Sequence, residues 1–373
     1  MNQVRQKYSL NMLLCMTFLL FLVLLSCGPP DPVLKYSLDT PPLILTPTDN
    51  AAIRDGRARF REIYCAVRED HGKEFPDDLP CEKVLHRISG ESEPTNKPVH
   101  LGQARLPLRV LVVPGTLAEC IQGTLSPLPY ARAHLEEHGY KTGLIMVGGR
   151  TSSTFNATQI RDYLANMDST PSERVVLVGY SKGTTDALEA AVNHPEIAER
   201  VSAIVSFAGV VGGSPLADSL PGFQESLVKN MHIPACPEGD AGFVESLSRK
   251  TRLNWLADHT LPTTMQYYSL AAFAERDQIS SMIQGAYDKL ATIDPRNDSQ
   301  VIFYDALIPR STLLGYVNAD HWAIAMPISR DMPMVAGAFI DRNAFPREVL
   351  LEAIVRFVEE HLLEQEPEAF TNP

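Results

Sequence analysis

Apolar and polar positions along this chain change period several times, and the changes mark out its elements. From Asn50, apolar residues return at helical spacing through Ile53, Phe60, Ile63, Tyr64 and Val67, and Pro80-Cys81 restart a second short helix to about Ile88. Leu108 to Val113 is then a compact apolar run of strand length, ending in Pro114-Gly115-Thr116. Leu128 to His138 is helical, with Pro129 where a first-turn proline is tolerated. Thr142 to Val147 reads as a strand, Thr158 to Met167 as a helix, and Arg174 to Tyr180 as a β-branched buried strand. A helix from Thr184 to Asn193 and a strand from Val201 to Phe207 follow. Strands separated by helices of this length predict right-handed crossovers and a mostly parallel sheet with helices on both faces.

The alternation then stops. From about Ser214 to Asp298 the pattern is helical with proline breaks, carrying exposed-looking Phe223, Leu227, Trp255, Met265, Tyr267, Tyr268 and Phe273. Val301 to Tyr304 and Leu313 to Val317 return as strands. A last amphipathic helix runs from Glu348 to about Leu363, with Val349, Ile354, Phe357, Val358 and Leu362 on its buried stripe. No internal repeat is visible.

One junction carries chemistry. The strand ending at Tyr180 meets its helix through Gly179-Tyr180-Ser181-Lys182-Gly183, which places a serine at the apex of a strand–turn–helix. Glycine on both sides fits a strained turn, where a Cβ would strike the neighbouring strand or helix. Such a turn lifts the Ser181 hydroxyl clear of the sheet and aims the first amides of the helix at whatever the serine attacks. Lys182 contributes its N–H in this reading, and its side chain is expected at the surface or in a crevice.

A serine needs a base, and the base needs a group that orients it. Of the ten histidines, His134, His138, His194 and His361 lie at or near helix ends, and His71, His86 and His100 lie outside the core pattern. His321 differs: it follows the last expected strand in Asn318-Ala319-Asp320-His321-Trp322, where strand ends converge. The acid is expected at the end of the preceding strand, at Asp305. Asp298 precedes that strand and reads as a turn cap, and Asp320 is too close in sequence to lie behind the His321 ring. The oxyanion would meet the amide of Lys182 and a second amide at Thr116 or Leu117.

These three stretches resemble the α/β-hydrolase superfamily, of the lipase/esterase kind, over roughly Leu108 to Leu363. The resemblance rests on Val-Pro-Gly-Thr after the first strand, Gly-Tyr-Ser-Lys-Gly at the elbow, and Asp305-Ala-Leu-Ile-Pro followed by Asp320-His321-Trp322. Ala306 stands where the family's acid motif has glycine, and Pro114-Gly115 replaces the usual His-Gly. The resemblance implies an α/β-hydrolase fold with a helical cap at about 214–298. It also implies a Ser181-Asp305-His321 triad that cleaves carboxylic esters through an acyl-enzyme. The apolar, aromatic cap points to a lipid-like or otherwise hydrophobic acyl group. Thioester, amide or polyester cleavage would use the same triad, and a scaffold that has lost catalysis is the alternative of another class. Ser181 excludes haloalkane and epoxide hydrolases, which need a carboxylate nucleophile.

Composition adds an address. The chain has 373 residues, 45% of them hydrophobic and 21% charged, with a net charge of -12 that argues against nucleic acid as a partner. Arg5 and Lys7 precede an apolar run from Met12 to Leu25, short for a bilayer span and right for a signal-peptide core. It ends in Leu24-Leu25-Ser26-Cys27, which resembles a bacterial lipobox. The expected organisation is therefore a signal peptide at 1–26, lipidation at Cys27, a proline-rich tether at 27–56, an N-terminal helical segment at 57–98 and the hydrolase domain at 99–365. Gly28 after the cysteine leans the address to the outer membrane, with the catalytic body in the periplasm or exterior. An anchor that is not cleaved, or an unmodified Cys27, are the alternatives.

Removing Met1 to Ser26 and acylating Cys27 leaves Cys65, Cys81, Cys120 and Cys236, an even set that suits disulfides in an exported chain. Cys65 with Cys81 and Cys120 with Cys236 is the preferred one of three connectivities. No metal site is expected, because no Cys-x-x-Cys or Cys/His cluster occurs, and the mechanism requires no cofactor.

Overall fold

The computed structural model describes residues 53–365, apart from 89, 117, 122–124, 220–239 and 241. The signal segment, Cys27, most of the tether, Phe223, Leu227 and Cys236 lie outside the described residues.

The chain opens with β1 (Arg54–Asp55), α1 (Arg57–His71) and α2 (Cys81–Val84). The alternating body follows as β2 (Leu108–Val113), α3 (Pro129–Glu137), β3 (Lys141–Leu144), α4 (Ser153–Asn166), β4 (Arg174–Tyr180), α5 (Lys182–Asn193), α6 (Pro195–Arg200) and β5 (Val201–Phe207). Then come α7 (Pro215–Asp218), α8 (Phe243–Leu247), α9 (Arg249–Asp258), β6 (Gln266–Ala272), α10 (Gln284–Ala291) and β7 (Thr312–Val317). The chain closes with α11 (Ile328–Asp331), α12 (Pro333–Phe339) and α13 (Arg347–Glu364). The seven strands form one sheet in the order β1-β7-β6-β5-β4-β2-β3, and every neighbouring pair is parallel. Among the described residues no helix is long and apolar enough to cross a membrane.

Both faces of the sheet are covered, so its central strands are apolar at nearly every position. Along β4, Val176, Val178 and Tyr180 pack to one side with residues of α1, α3 and α13. Val175 and Leu177 pack to the other side with residues of α4 and α5. The elbow at the end of β4 is thereby held between two closed cores.

Three expectations change. Arg54 and Asp55, expected within the tether, instead form β1, which pairs with β7 at the sheet edge (Arg54 with Thr312, Asp55 with Leu313). The helical insertion expected at 214–298 contains β6, which lies between β5 and β7. That strand, Gln-Tyr-Tyr-Ser-Leu-Ala-Ala, has no β-branched residue, so its pattern did not read as a strand. Its two tyrosines pack on opposite faces, Tyr268 in the α13 core and Tyr267 in the α5 core. Finally, the strand expected at Val301 to Tyr304 is a 3-10 turn over Phe303–Ala306, preceded by an isolated bridge between Asn297 and Ile302.

The last helix is more enclosed than its amphipathic stripe suggests. Phe60, Ile63, Tyr64 and Val67 on α1 are buried in the same core as Ile354, Phe357 and Leu362 on α13, and the Phe60 and Phe357 rings meet edge to face at 6.2 Å. The polar side of α13 is covered too. Arg59 makes a two-pronged bond to Glu360 at 2.8 and 2.7 Å. Glu359 accepts the backbone N–H groups of Arg105 and Leu106 at 2.7 and 2.9 Å. Cys65 and Cys81 are bridged, tying α1 to α2.

Candidate active site

The elbow forms as its glycines require. Ser181 has φ 54° and ψ -127°, a strained conformation for a residue with a side chain. A Cβ on Gly183 would lie 2.0 Å from the carbonyl oxygen of Val113, and one on Gly179 would lie 2.4 Å from Thr184 Cα. The crossing of α5 over β2 therefore closes only over glycine. The turn is pinned by Val210 N–H and Thr184 N–H, which both donate to the Ser181 carbonyl at 3.1 Å.

The loop after β2 comes up beside the nucleophile. A Cβ on Gly115 would lie 2.8 Å from Ser181 Cβ, so the backbone leading into Thr116 runs against the serine. Lys182 starts α5 immediately after Ser181, at the helix end whose N–H groups lack partners within the helix. Its side chain is not in a crevice. It is buried and donates to Asp186 Oδ1 at 2.6 Å, while Asn156 donates to Asp186 Oδ2 at 2.8 Å. Leu117, the alternative second amide, lies outside the described residues.

His321 is where the sequence places it, just beyond β7, and its Nε2 is 2.9 Å from Ser181 Oγ. Its Nδ1 is 2.7 Å from Asp298 Oδ2. A carboxylate oxygen only accepts, so Nδ1 carries the ring hydrogen and Nε2 presents its lone pair to the serine hydroxyl. The backbone repeats the pairing, with His321 N–H donating to the Asp298 carbonyl at 2.9 Å. The Tyr180 ring stacks on the imidazole at a centroid distance of 5.2 Å, and its hydroxyl donates to the His321 carbonyl at 2.8 Å.

The carboxylate behind His321 is thus Asp298, and the expectation of Asp305 is corrected. Asp298 does cap a turn: its Oδ1 accepts the N–H groups of Gln300 and Val301 at 2.9 and 2.7 Å. Its Oδ2 is left for the imidazole, so one buried side chain serves both purposes. Asp305 points elsewhere because the segment before it is a turn, not a strand that would carry it to the His321 edge. Arg249 Nε and Nη2 lie 3.2 Å from its Oδ1. Among the described residues its Oδ2 has no hydrogen-bond partner. Burial pushes its carboxyl up to about 7, against the Arg249 guanidinium, which lowers it. Asp320 is engaged as well, accepting from Trp322, Ala323 and Ser280 N–H groups at 3.0, 2.7 and 2.9 Å. The only signal for Asp298 was its reading as a turn cap, and a capping carboxylate still has a second oxygen to give.

Among the described residues, several of the side chains expected to line a cap make packing contacts. Trp255 stacks on His259 at 4.8 Å and lies under the Arg252 guanidinium. Phe273 stacks on His86 at 4.1 Å, and Met265 is buried in the α5 core.

No protein-family model and no curated protein sequence matches the chain. Among solved structures, the metagenomic carboxyl esterase MGS0156 aligns at 42% identity and a TM-score of 0.82, covering 89% of this chain and 100% of that one. The mature Bacillus licheniformis lipase BlEst2 aligns at 19% identity over 61% of this chain and 89% of the lipase, with a TM-score of 0.47. EstA from Clostridium botulinum aligns at 11% identity over 81% of this chain and 98% of its own, also at 0.47. Identical at 42% of the aligned positions to that carboxyl esterase over its whole length, and built on a parallel sheet with a strained serine elbow, the chain belongs to the α/β-hydrolase family as one of its esterase-like enzymes.

Proposed function

We propose that this enzyme hydrolyses carboxylic esters by way of an acyl-enzyme on Ser181, and the Ser181–His321–Asp298 series at 2.9 and 2.7 Å carries the reading. Ser181 Oγ attacks the ester carbonyl carbon as its proton passes to His321 Nε2. Asp298 holds the ring in the tautomer that leaves Nε2 free to accept, and stabilises the imidazolium that forms. The carbonyl oxygen, now an oxyanion, is met by the N–H groups of Lys182 and Thr116. His321 returns the proton to the leaving alkoxide, and the alcohol departs. Water then repeats the sequence against the acyl group, releasing the acid and restoring the serine. A lipid-like or otherwise hydrophobic acyl group is the finer part of the proposal, and it rests on the apolar, aromatic composition of the 214–298 segment.

The test is covalent labelling with a fluorophosphonate, followed by intact mass, in the parent and in Ser181→Ala. One probe adduct in the parent and none in the variant is the expected result. No adduct in a folded parent, or an adduct that survives in Ser181→Ala, would sink the assignment. A panel of matched esters and thioesters then separates the ester reading from the thioester one.

Export and anchoring through Cys27 are part of the same proposal. They rest on the lipobox-like Leu24-Leu25-Ser26-Cys27. Metabolic labelling with a palmitate analogue should mark the parent and not Cys27→Ser, which should also leave the membrane fraction.

A further inference from the structure

Outside the Ser181 site, three elements remote in sequence bring imidazoles and a carboxylate together. His71 ends α1, His138 follows α3 directly, and Glu352 lies midway along α13. One ligand atom from each of the three lies within 4.8 Å of the others. His71 Nε2 and His138 Nε2 face each other at 3.2 Å, and Glu352 Oε1 is 3.7 Å from His71 Nε2.

The spacing fits one small cation. Zinc binds imidazole nitrogen at about 2.0–2.1 Å, and tetrahedral geometry then sets two ligand nitrogens roughly 3.3 Å apart. Ring orientation agrees. His138 Nδ1 is 3.0 Å from the His134 carbonyl, so Nδ1 carries the hydrogen and Nε2 offers its lone pair. That outer hydrogen bond to a backbone carbonyl is what metal-binding imidazoles ordinarily have. His134 takes the supporting place: its Nε2 is 2.6 Å from Glu352 Oε2, which fixes the carboxylate and leaves Oε1 turned to the other two rings. Arg356 also donates to Oε1, at 2.6 Å, and an oxygen with two lone pairs serves both. Asp70 and Glu74 carboxylates stand 3.4 and 3.8 Å from the His71 ring and add negative charge at the open side. Phe75 closes the His134 side, edge to face at 4.9 Å.

We propose that His71, His138 and Glu352 bind a single divalent cation of the zinc class, which clamps the end of α1 to α3 and α13. A water or the exposed Asp70 carboxylate supplies the fourth position. The role is structural. The site joins the N-terminal segment to the hydrolase body at the end of α1, beyond the Cys65–Cys81 bridge, and it is independent of the chemistry at Ser181. No motif announces the site, since the histidines are scattered along the chain and no Cys/His cluster occurs in it.

The experiment strips the purified full chain with chelator and titrates Zn²⁺ by calorimetry, in the parent, His71→Gln and His138→Gln. Glu352 is left intact because it also holds His134 and Arg356. The parent should bind one equivalent and gain thermal stability, each variant should bind at least tenfold more weakly, and the zinc-induced rise in Tm should vanish. Co²⁺ in place of Zn²⁺ should give the visible bands of a tetrahedral site in the parent alone. Zinc-free ester hydrolysis should be the same in all three. No saturable binding in the parent overturns the proposal. So does binding that persists in the His71→Gln, His138→Gln double variant, or that is blocked by fluorophosphonate at Ser181.

Discussion

Asp298 and Asp305 lie on the same connection between β6 and β7, both buried, and they are built for opposite ends. Asp298 meets two backbone N–H groups on one oxygen and the His321 ring on the other. Asp305 meets one guanidinium on a single oxygen, and among the described residues its second oxygen has no donor. Burial alone therefore does not make a buried aspartate an orienting group. What distinguishes the two is where their donors come from: turn amides that fix the side chain and still leave an oxygen for the ring, against a buried arginine from α9 that takes up the pairing. The Asp305–Arg249 pair joins the connection to the segment after β5, where Gly212 N–H also donates to the Asp305 carbonyl at 2.8 Å.

The sharpest way to break this comparison is to remove each charge in turn without changing shape. Asp298→Asn should lower kcat by about 10,000-fold, because an amide offers no reason for Nδ1 to hold the ring hydrogen. Asp305→Asn should leave kcat near the parent value. Steady-state kinetics on one activated ester, with circular dichroism to verify folding, decides it. Equal losses in the two variants would return Asp305 to the machinery.

Much of the site was legible because its physics is local. The strand, the two glycines and the serine are contiguous, and steric closure over Gly183 needs no knowledge of the rest of the fold. His321 was legible from its place after the last strand. The acid was not, because its placement depends on whether Val301 to Tyr304 is a strand, and the pairing of Asn297 with Ile302 turns that stretch back on itself. The same holds for β6, whose Tyr-Tyr-Ser-Leu-Ala-Ala becomes a strand by its position between β5 and β7 rather than by propensity. The His71–His138–Glu352 cluster was hidden for a related reason: His71 read as lying outside the core pattern and His138 as a helix-end residue, and only the packing of α1 and α3 against α13 brings them to Glu352.

A smaller effect separates the two aspartates by pH. The carboxyl of Asp305 is raised by burial to about 7 from an ordinary 3.8. Between those values the native state holds a proton that the unfolded chain has released. Stability linked to this group is therefore present below about pH 4 and lost as pH rises through about 7. The Tm of the parent, measured relative to Asp305→Asn, should fall as pH is taken from 5 to 8 and then level off. A difference in Tm that is flat across that range would mean Asp305 is ionised throughout as the partner of Arg249. Truncation to Asp305→Ala should destabilise the fold more than Asp305→Asn does, since it removes the contact with the Arg249 guanidinium altogether, with urea unfolding as the measurement.

The smallest expected effect tests how the histidine itself is held. Asp298 fixes the ring of His321 at Nδ1, and Tyr180 fixes its backbone through the hydroxyl at 2.8 Å from the carbonyl. Burial holds the Tyr180 hydroxyl well above its usual range, with the Asp298 and Asp320 charges adding to it, so it remains a donor at every working pH. Tyr180→Phe keeps the stacked ring and deletes only that bond, worth about 1 kcal/mol. If Tyr180 positions the base, kcat should fall about fivefold with KM unchanged, and the pH–rate profile should keep its shape while losing height. If the bond serves stability alone, Tm drops and kcat stays. A loss of kcat comparable to that of Asp298→Asn would show instead that the two anchors act as one unit, and that the imidazole cannot reach Ser181 unless its ring and its backbone are both fixed.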